Sequence, residues 1–441
     1  MTALKQRTSI RLLSDAIGRV SAGRKPASDR RFPMRLLVVA DELPMRDRSA
    51  GAFRFHHMLK LLAGEHELLL HADDLPWQIR HFGRNDVLRY RAELEDFGVR
   101  LTGGNWRELN AVLRTSKFDV ALFEHYRSAR CEIVEWFRFW QPQGRVVIDS
   151  VDVAFNRLAA KARVSEAVQD LHAAERVRAA ELAAYRAADL VIAISESDAS
   201  ILRREGVATR VEVLPLIYPV PPLEVARREK GKRDVLFVAD FRHDANVDAI
   251  VRFCEDVLPL VVEEVPTVRV RIVGHSPPPE VQALAGPNVE VLGFVRDLKE
   301  IYAAIDVAIA PMRFGGGLKG KIAEAMAFGV PVVTNSASLE GFSVTPGREV
   351  MVGDDPVAFA RGVVSLLRDP ALHSRVSEEG WKFVKANYSL EAIAARLSAV
   401  VEAAGRLQPK KLAAHRRLAR GVRVLLDQHV LWRLRRVGGG A

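Results

Sequence analysis

The chain has 441 residues, with 65 Lys and Arg against 55 Asp and Glu for a formal net charge of +10, a length that calls for two domains rather than one core. Two cysteines, Cys131 and Cys254, are too few for a disulfide scaffold, and without a run of about 18 apolar residues or a signal-peptide core the expectation is a reduced, cytoplasmic setting. The charge is uneven: residues 1–31 carry +6, residues 405–441 carry +9 and the body between them carries −5, so the basicity is not that of a nucleic-acid-binding core.

In chain order, the first segment is the flank 1–31, where Ile10, Leu12, Leu13 and Ile17 interleave with eight basic residues. Residues 32–215 follow with apolar, strand-like runs at "MRLLVVA" (34–40), "ELLLHA" (67–72), "FDVALFE" (118–124), "RVVID" (145–149), "DLVIAIS" (189–195) and "VEVLP" (211–215). Helical patterns separate most of them, among them "GAFRFHHMLKLLAG" and "VSEAVQDLHAAERVRAAELAAYRAA". The runs lack polar alternation, as in parallel strands buried on both faces. Residues 216–233, rich in proline and charge, read as a linker. A second α/β series occupies 234–380, with strands at "DVLFVA" (234–239), "VRVRIVG" (268–274), "VEVLG" (289–293), "IDVAIAP" (305–311), "VPVVTN" (330–335) and "EVMVG" (349–353). Residues 381–404 read as a closing helix. Residues 405–441 form a second basic flank, with Val422, Val424, Leu425, Leu426, Leu431, Trp432 and Leu434 among ten Lys and Arg. The fold class is therefore α/β, two doubly wound Rossmann-like domains with the ligand in the cleft between them, beyond the carboxyl ends of the strands. Basic amphipathic flanks suit an anionic membrane surface, with solvated tails as the plainer alternative.

The most informative stretch is "RFGGGLKGKIAEAMAFGVPVVTN" (313–335). Strand "IDVAIAP" ends at Pro311, Gly315, Gly316 and Gly317 form a loop, and a helix runs from near Leu318 to Gly329. Glycines there let backbone N–H groups approach a ligand, and the helix mouth favours an anion such as phosphate. Lys319 and Lys321 add positive charge. Lys321 and Glu324, three apart, share a face. A lysine for phosphate and a carboxylate for a ribose diol would read a nucleoside diphosphate in two places. The spacing is not that of a Walker loop, and "VADELPMRDRSAG" lacks the glycine fingerprint of a nicotinamide site.

Pro311, Gly315, Gly317, Lys321, Glu324, Ala325, Ala327, Gly329, Pro331, Val332 and Val333 resemble the nucleotide-sugar signature of retaining GT-B glycosyltransferases, above all glycosyltransferase family 4. The resemblance runs from about residue 34 to 404. It takes in "LFVADFRHDANVDAIVRF", "VRVRIVGHSP", "VEVLGFVRDLKEIYAAIDVAIAP", "ADLVIAISESDASIL", "DRSAGAFRFHHMLKLL" and "NYSLEAIAARL". It implies a GT-B fold and transfer of a sugar, with retention, from a nucleotide-diphosphate sugar to a glycan or lipid-linked acceptor in cell-surface polysaccharide or glycolipid synthesis. Lys321 would neutralise the departing diphosphate without a metal cofactor, Glu324 would hold the ribose, and Gly315–Gly317, with Lys319 and Gly274, would line the donor. The acceptor would sit near Gly51, Arg54 and Asp152.

The sequence departs from that pattern in three places. The first of the family's two glutamates falls on Gly316, the glycine–arginine pair after the first strand of the second domain is replaced by Ala239 and Asp240, and Ala154 stands where some relatives have a histidine in "DSVDVAFNR". Arg242 is the substitute expected for the missing phosphate arginine. The alternative to an enzyme is an inactive GT-B module that binds a nucleotide and scaffolds a glycan-assembly complex. "DSVD" (149–152) has the wrong spacing for an Asp-x-Asp metal motif, and adjacent His56 and His57 cannot share a helical face, so no metal site is expected. His243 and His275 follow strands and stand as possible ligand contacts. Trp136, Phe137, Phe139 and Trp140 read as packing.

Overall fold

The computed structural model describes residues 33–103, 105–223 and 233–426. Residues 34–213 build one parallel sheet: β1 (Arg35–Ala40), β2 (Glu67–Ala72), β3 (Arg100–Gly103), β4 (Val120–Glu124), β5 (Arg145–Ser150), β6 (Leu190–Ala193) and β7 (Arg210–Val213), in the order β3-β2-β1-β4-β5-β6-β7. Its strands are buried on both sides. Leu36, Val38 and Ala40 pack into one core cluster and Leu37 and Val39 into the other, which is why β1 reads as an unbroken apolar run. The second sheet holds β8 (Asp234–Asp240), β9 (Arg269–His275), β10 (Val289–Gly293), β11 (Val307–Ala310), β12 (Val332–Thr334) and β13 (Met351–Val352), in the order β10-β9-β8-β11-β12-β13, again all parallel.

Eight helices matter here: α1 (Ala50–Ala63), α2 (Cys131–Trp140), α3 (Ala154–Ser165), α4 (Asp244–Arg252), α5 (Gly320–Ala327), α6 (Pro370–Tyr388), α7 (Leu390–Arg406) and α8 (Ala414–Leu426). Helix α6 stays with the second domain, where Val376, Val384 and Tyr388 are buried. The chain crosses at Ser389, where Tyr218 exchanges backbone hydrogen bonds with Tyr388 and Leu390. Ile393, Leu397, Val400, Val401 and Ala404 of α7 then enter the core of the first domain. The return therefore begins at Ser389, later than the 381 expected from the sequence, because the apolar stripe of α6 already has a home in the second domain.

Strand order reverses between β1 and β4 in the first sheet and between β8 and β11 in the second. At such switch points the loops beyond the strand ends splay apart and leave a crevice. The glycine loop follows β11, Arg242 follows β8, and Asp152 follows β5 beside the first switch point.

Candidate donor and acceptor site

The mouth of α5 follows the glycine loop directly. Its first turn contains Gly320, and its N-cap is Lys319, which makes no side-chain capping bond. The first N–H groups thus face the crevice without a side-chain acceptor at the cap. Gly317 has φ of 59°, in the left-handed region. At the far end Gly329 (φ 64°) closes the helix, with Val330 N–H donating to the Ala325 carbonyl.

The two lysines differ. Lys319 is buried and its Nζ donates to the carbonyls of Gly316 (3.2 Å) and Gly317 (3.0 Å), so it holds the loop in shape rather than presenting a free charge. Lys321 donates to Asn246 Oδ1 at 2.7 Å and lies 4.1 Å from the centre of the Phe237 ring. Burial, with Lys319 adding to it, pushes the Lys321 ammonium down to about 7. Glu324, one turn on, accepts from the Tyr302 hydroxyl at 3.1 Å, and burial pushes its carboxyl up to about 7 against that hydrogen bond. Burial thus disfavours the charged form of both side chains, and an anion beside Lys321 would favour its ammonium form.

Gly316, where the first glutamate was missing, is explained by the other domain. A Cβ there would lie 2.8 Å from Arg157 Cβ and 3.2 Å from Asp152 Oδ2. The place is taken by α3 and the end of β5, and a carboxylate, that of Asp152, already stands at it. Asp152 accepts from Arg157 Nε at 2.6 Å and lies 3.8 Å from His125 Nε2. Burial opposes its charge, but His125 and Arg157 outweigh burial and hold the carboxyl well below the usual range. The neighbouring Gly320 packs under Ala50 and the Tyr218 hydroxyl, where a Cβ would meet Ala50 Cβ at 2.5 Å. Lys161 of α3 and Asp244 of α4 add an ion pair of 2.6 Å between the domains.

His125 is the residue the sequence did not single out. It follows β4 directly with φ of 67°, rare for a residue with a Cβ, and its buried Nδ1 has no hydrogen-bond partner among the described residues. Its only sequence signal is its place one residue past a buried strand. Glu124, at the end of that strand, is held well above the usual carboxylate range by burial and by Asp149, Asp41 and Glu42.

Three expected contacts take other roles. Arg54 is 1% exposed. It forms a fork with Asp149 (2.5 and 3.0 Å) and donates to the carbonyls of Pro215 (3.0 Å) and Leu214 (2.9 Å). It is therefore an internal tie, and the acceptor role expected of it is corrected. Gly274 pairs with Ala239 across β9 and β8, and a Cβ on it would fall 1.8 Å from the Ala239 carbonyl oxygen. Strand packing, not donor contact, demands glycine there. Arg242 forks onto Asp240 (3.0 and 2.7 Å), so its charge is already matched. Gly51 sits at the start of α1, 3.3 Å from Val151 as measured from a built Cβ. His243 precedes α4, and His275 lies between the rings of Phe82 and Phe294.

Among the described residues, no group of three or more His, Cys, Asp or Glu is placed to hold a metal ion, and no helix is long and apolar enough to cross a membrane. The flank 1–31 lies outside the described residues, as do residues 427–441. The described part of the basic tail is less free than its charge suggests. Arg416, Arg420 and Arg423 pair with Glu132 and Glu135, and Lys410 Nζ donates to the carbonyls of Arg186 and Ala188. The count of nine excess charges available to a membrane is reduced accordingly.

Residues 232–369 match the family described as "Glycosyl transferases group 1". The chain is 23% identical over 190 residues to an uncharacterized 44.6 kDa protein in the cps region of Klebsiella pneumoniae, covering 41% of this chain and 49% of that one. It is 28% identical over 229 residues to the lipopolysaccharide core biosynthesis mannosyltransferase LpcC of Rhizobium leguminosarum bv. viciae, covering 49% and 64%. The matches thus span about half to two thirds of these curated relatives. In structure it resembles Anabaena Alr3699/HepE, solved in complex with UDP and glucose, with a TM-score of 0.60 at 14% identity over 84% of this chain and all of that one.

Proposed function

We propose that this chain, which has the GT-B fold and carries a group 1 glycosyl transferase domain, moves a sugar from a nucleotide-diphosphate sugar to a glycan or lipid-linked acceptor in cell-surface polysaccharide or lipopolysaccharide synthesis. One observation carries the proposal: an uncapped helix mouth behind three glycines, with Lys321 and Glu324 on one helical face, Lys321 held by Asn246 and Glu324 by Tyr302. The diphosphate takes the N–H groups of α5 and the Lys321 ammonium, and Glu324 accepts from the ribose hydroxyls. Arg242 joins only by leaving Asp240. The sugar then lies beside Gly315–Gly317, next to the His125–Asp152–Arg157 group that the opposite domain packs against the loop. Transfer proceeds with retention, as in the family the sequence resembles, and without a metal cofactor, because Lys321 and the helix mouth supply the positive charge the leaving group needs. The relatives named for a cps region and for lipopolysaccharide core synthesis support the pathway class. The remaining basic residues of the flanks support peripheral attachment to the cytoplasmic face of an anionic membrane as part of this reading.

The test is a panel of UDP-, GDP-, ADP- and dTDP-sugars, scored by thermal protection and nucleotide release. At least one donor is expected to protect and to be turned over undiminished in EDTA. Protection without turnover under any acceptor mixture would favour the scaffold alternative, and activity lost in EDTA and restored by Mn²⁺ would overturn the metal-free step. Within this scheme His125→Ala is expected to lower kcat about 10- to 100-fold, the scale of a hydrogen bond to a polar or charged group, with donor KM little changed. An unchanged kcat removes His125 from the site. Gly316→Glu is expected to weaken turnover by pressing on Arg157 and Asp152. A gain of activity would show that the missing glutamate is a plain deficiency.

A further inference from the structure

The tail helix α8 lies along α2 with its charged stripe inward. Arg416 meets Glu135 at 2.6 Å, Arg420 meets Glu135 at 2.8 Å and Glu132 at 3.3 Å, and Arg423 meets Glu132 at 3.0 Å. The Arg420 guanidinium also sits 5.0 Å from the centre of the Trp136 ring. Positions 416, 420 and 423 form one stripe at helical spacing. Leu418 and Val422, one turn apart on another stripe, are 70% and 47% exposed. A surface helix ordinarily turns its apolar stripe to the core and its charges to water. Here Val424 packs against the body's core, and two aliphatic residues, Leu418 and Val422, stand outward on the side away from the paired arginines.

The direction of α8 carries a second point. Arg416 reaches Glu135 while Arg423 reaches Glu132, so α8 runs antiparallel to α2. Its carboxyl end lies at the start of α2, just after the short helical turn His125–Ser128. The outward aliphatic stripe shares its helix with exposed His415 and Arg417. The sequence that follows contains Leu431, Trp432, Arg433, Leu434, Arg435 and Arg436. An apolar stripe on a basic helix, followed by an aromatic and three arginines, is complementary to an anionic lipid leaflet and not to a neutral apolar groove.

We propose that α8 is an interfacial helix: Leu418 and Val422 enter an anionic bilayer surface while Arg416, Arg420 and Arg423 fasten the helix to Glu132 and Glu135 of the first domain. The fastening makes the tail a rigid foot rather than a tether, and sets it at the end of the domain where the crevice opens beside His125. An acceptor carried on a lipid would then meet the crevice at a fixed height above the leaflet. The inference rests on the membrane part of the proposed function and is independent of sugar transfer.

The experiment is co-sedimentation of the full chain with phosphatidylcholine vesicles with and without phosphatidylglycerol. The wild type is expected to pellet only with the anionic vesicles. Leu418→Asp/Val422→Asp is expected to lower partitioning roughly tenfold or more, from two aliphatic side chains kept out of the interface, with its melting temperature retained. Glu132→Gln/Glu135→Gln is expected to keep or raise partitioning while hydrogen exchange across 414–426 quickens, which separates fastening from insertion. Equal pelleting of the wild type with both vesicles, or an unaltered Asp double variant, overturns the proposal. So does a dimer that the Asp variant dissociates with no vesicle binding, since the face would then belong to a second copy. Nucleotide binding measured on the same proteins keeps the two readings apart: vesicle binding without nucleotide binding defeats the transferase reading and leaves this one standing.

Discussion

Lys321→Met is expected to stabilise the ligand-free protein while removing most of its affinity for a nucleoside diphosphate. The folded Lys321 titrates near 7 against an ordinary 10.5, and burial is the main cause. Between those values the unfolded chain holds a proton that the folded one lacks. The Lys321 contribution to stability therefore improves as pH rises from about 7 to 10.5, and its full cost is present below 7. Glu324 titrates near 7 against 4.5, so the folded chain holds the extra proton, and its contribution worsens as pH rises from 4.5 to about 7. The two costs coincide near neutrality. Methionine keeps the apolar stem against Phe237 and drops the buried ammonium, so the melting temperature is expected to rise by about 2–4 °C for each kcal/mol recovered. Diphosphate affinity is expected to fall roughly 10- to 100-fold, the range for a charged hydrogen bond. In the wild type, binding should draw a proton onto Lys321 and weaken as pH climbs above about 7. Scanning fluorimetry with and without UDP and GDP, and calorimetry in two buffers of different ionisation enthalpy, check both halves. A less stable variant with intact nucleotide affinity would remove Lys321 from the diphosphate site.

That residue was legible because its surroundings are written locally. Pro311, three glycines, Gly329 and Pro331 mark where a strand ends and a helix begins and stops, and the helical repeat then places Lys321 with Glu324. The strands β1 and β8 were legible for a similar reason: both faces are buried, so their runs are unbroken. β3, Arg100–Gly103, passed unread because it is a short edge strand with only partial burial. What stayed hidden depends on partners far along the chain. Helical pattern puts Arg54 on α1 but says nothing of Asp149, 95 residues away. A glycine at 274 looks like a ligand glycine until the Ala239 carbonyl is seen in its way. His125 owes its prominence to a backbone conformation that residue type does not encode. Gly316 read as a loss until Asp152 appeared against it from the other domain. In the tail the charges were countable, but whether Glu132 and Glu135 had already taken them was not.

Arg54→Ala is expected to destabilise the whole protein by about 3–5 kcal/mol, the cost of leaving a buried carboxylate without its partner. Asp149 is fully buried and depends on the Arg54 fork, and the carbonyls of Leu214 and Pro215 lose their donor at the same time. The tie joins α1 to β5 and to the residues just ahead of the linker. The effect therefore has a distinctive form. Denaturant midpoints and melting temperature fall, and activity falls with the folded fraction. Replacing both members, Arg54→Leu with Asp149→Leu, is expected to recover a large part of the loss, because apolar side chains of similar volume commonly replace a buried pair at little cost. An arginine that held the acceptor would behave in the opposite way: Arg54→Ala would raise the acceptor KM at unchanged stability, and the double replacement would restore nothing.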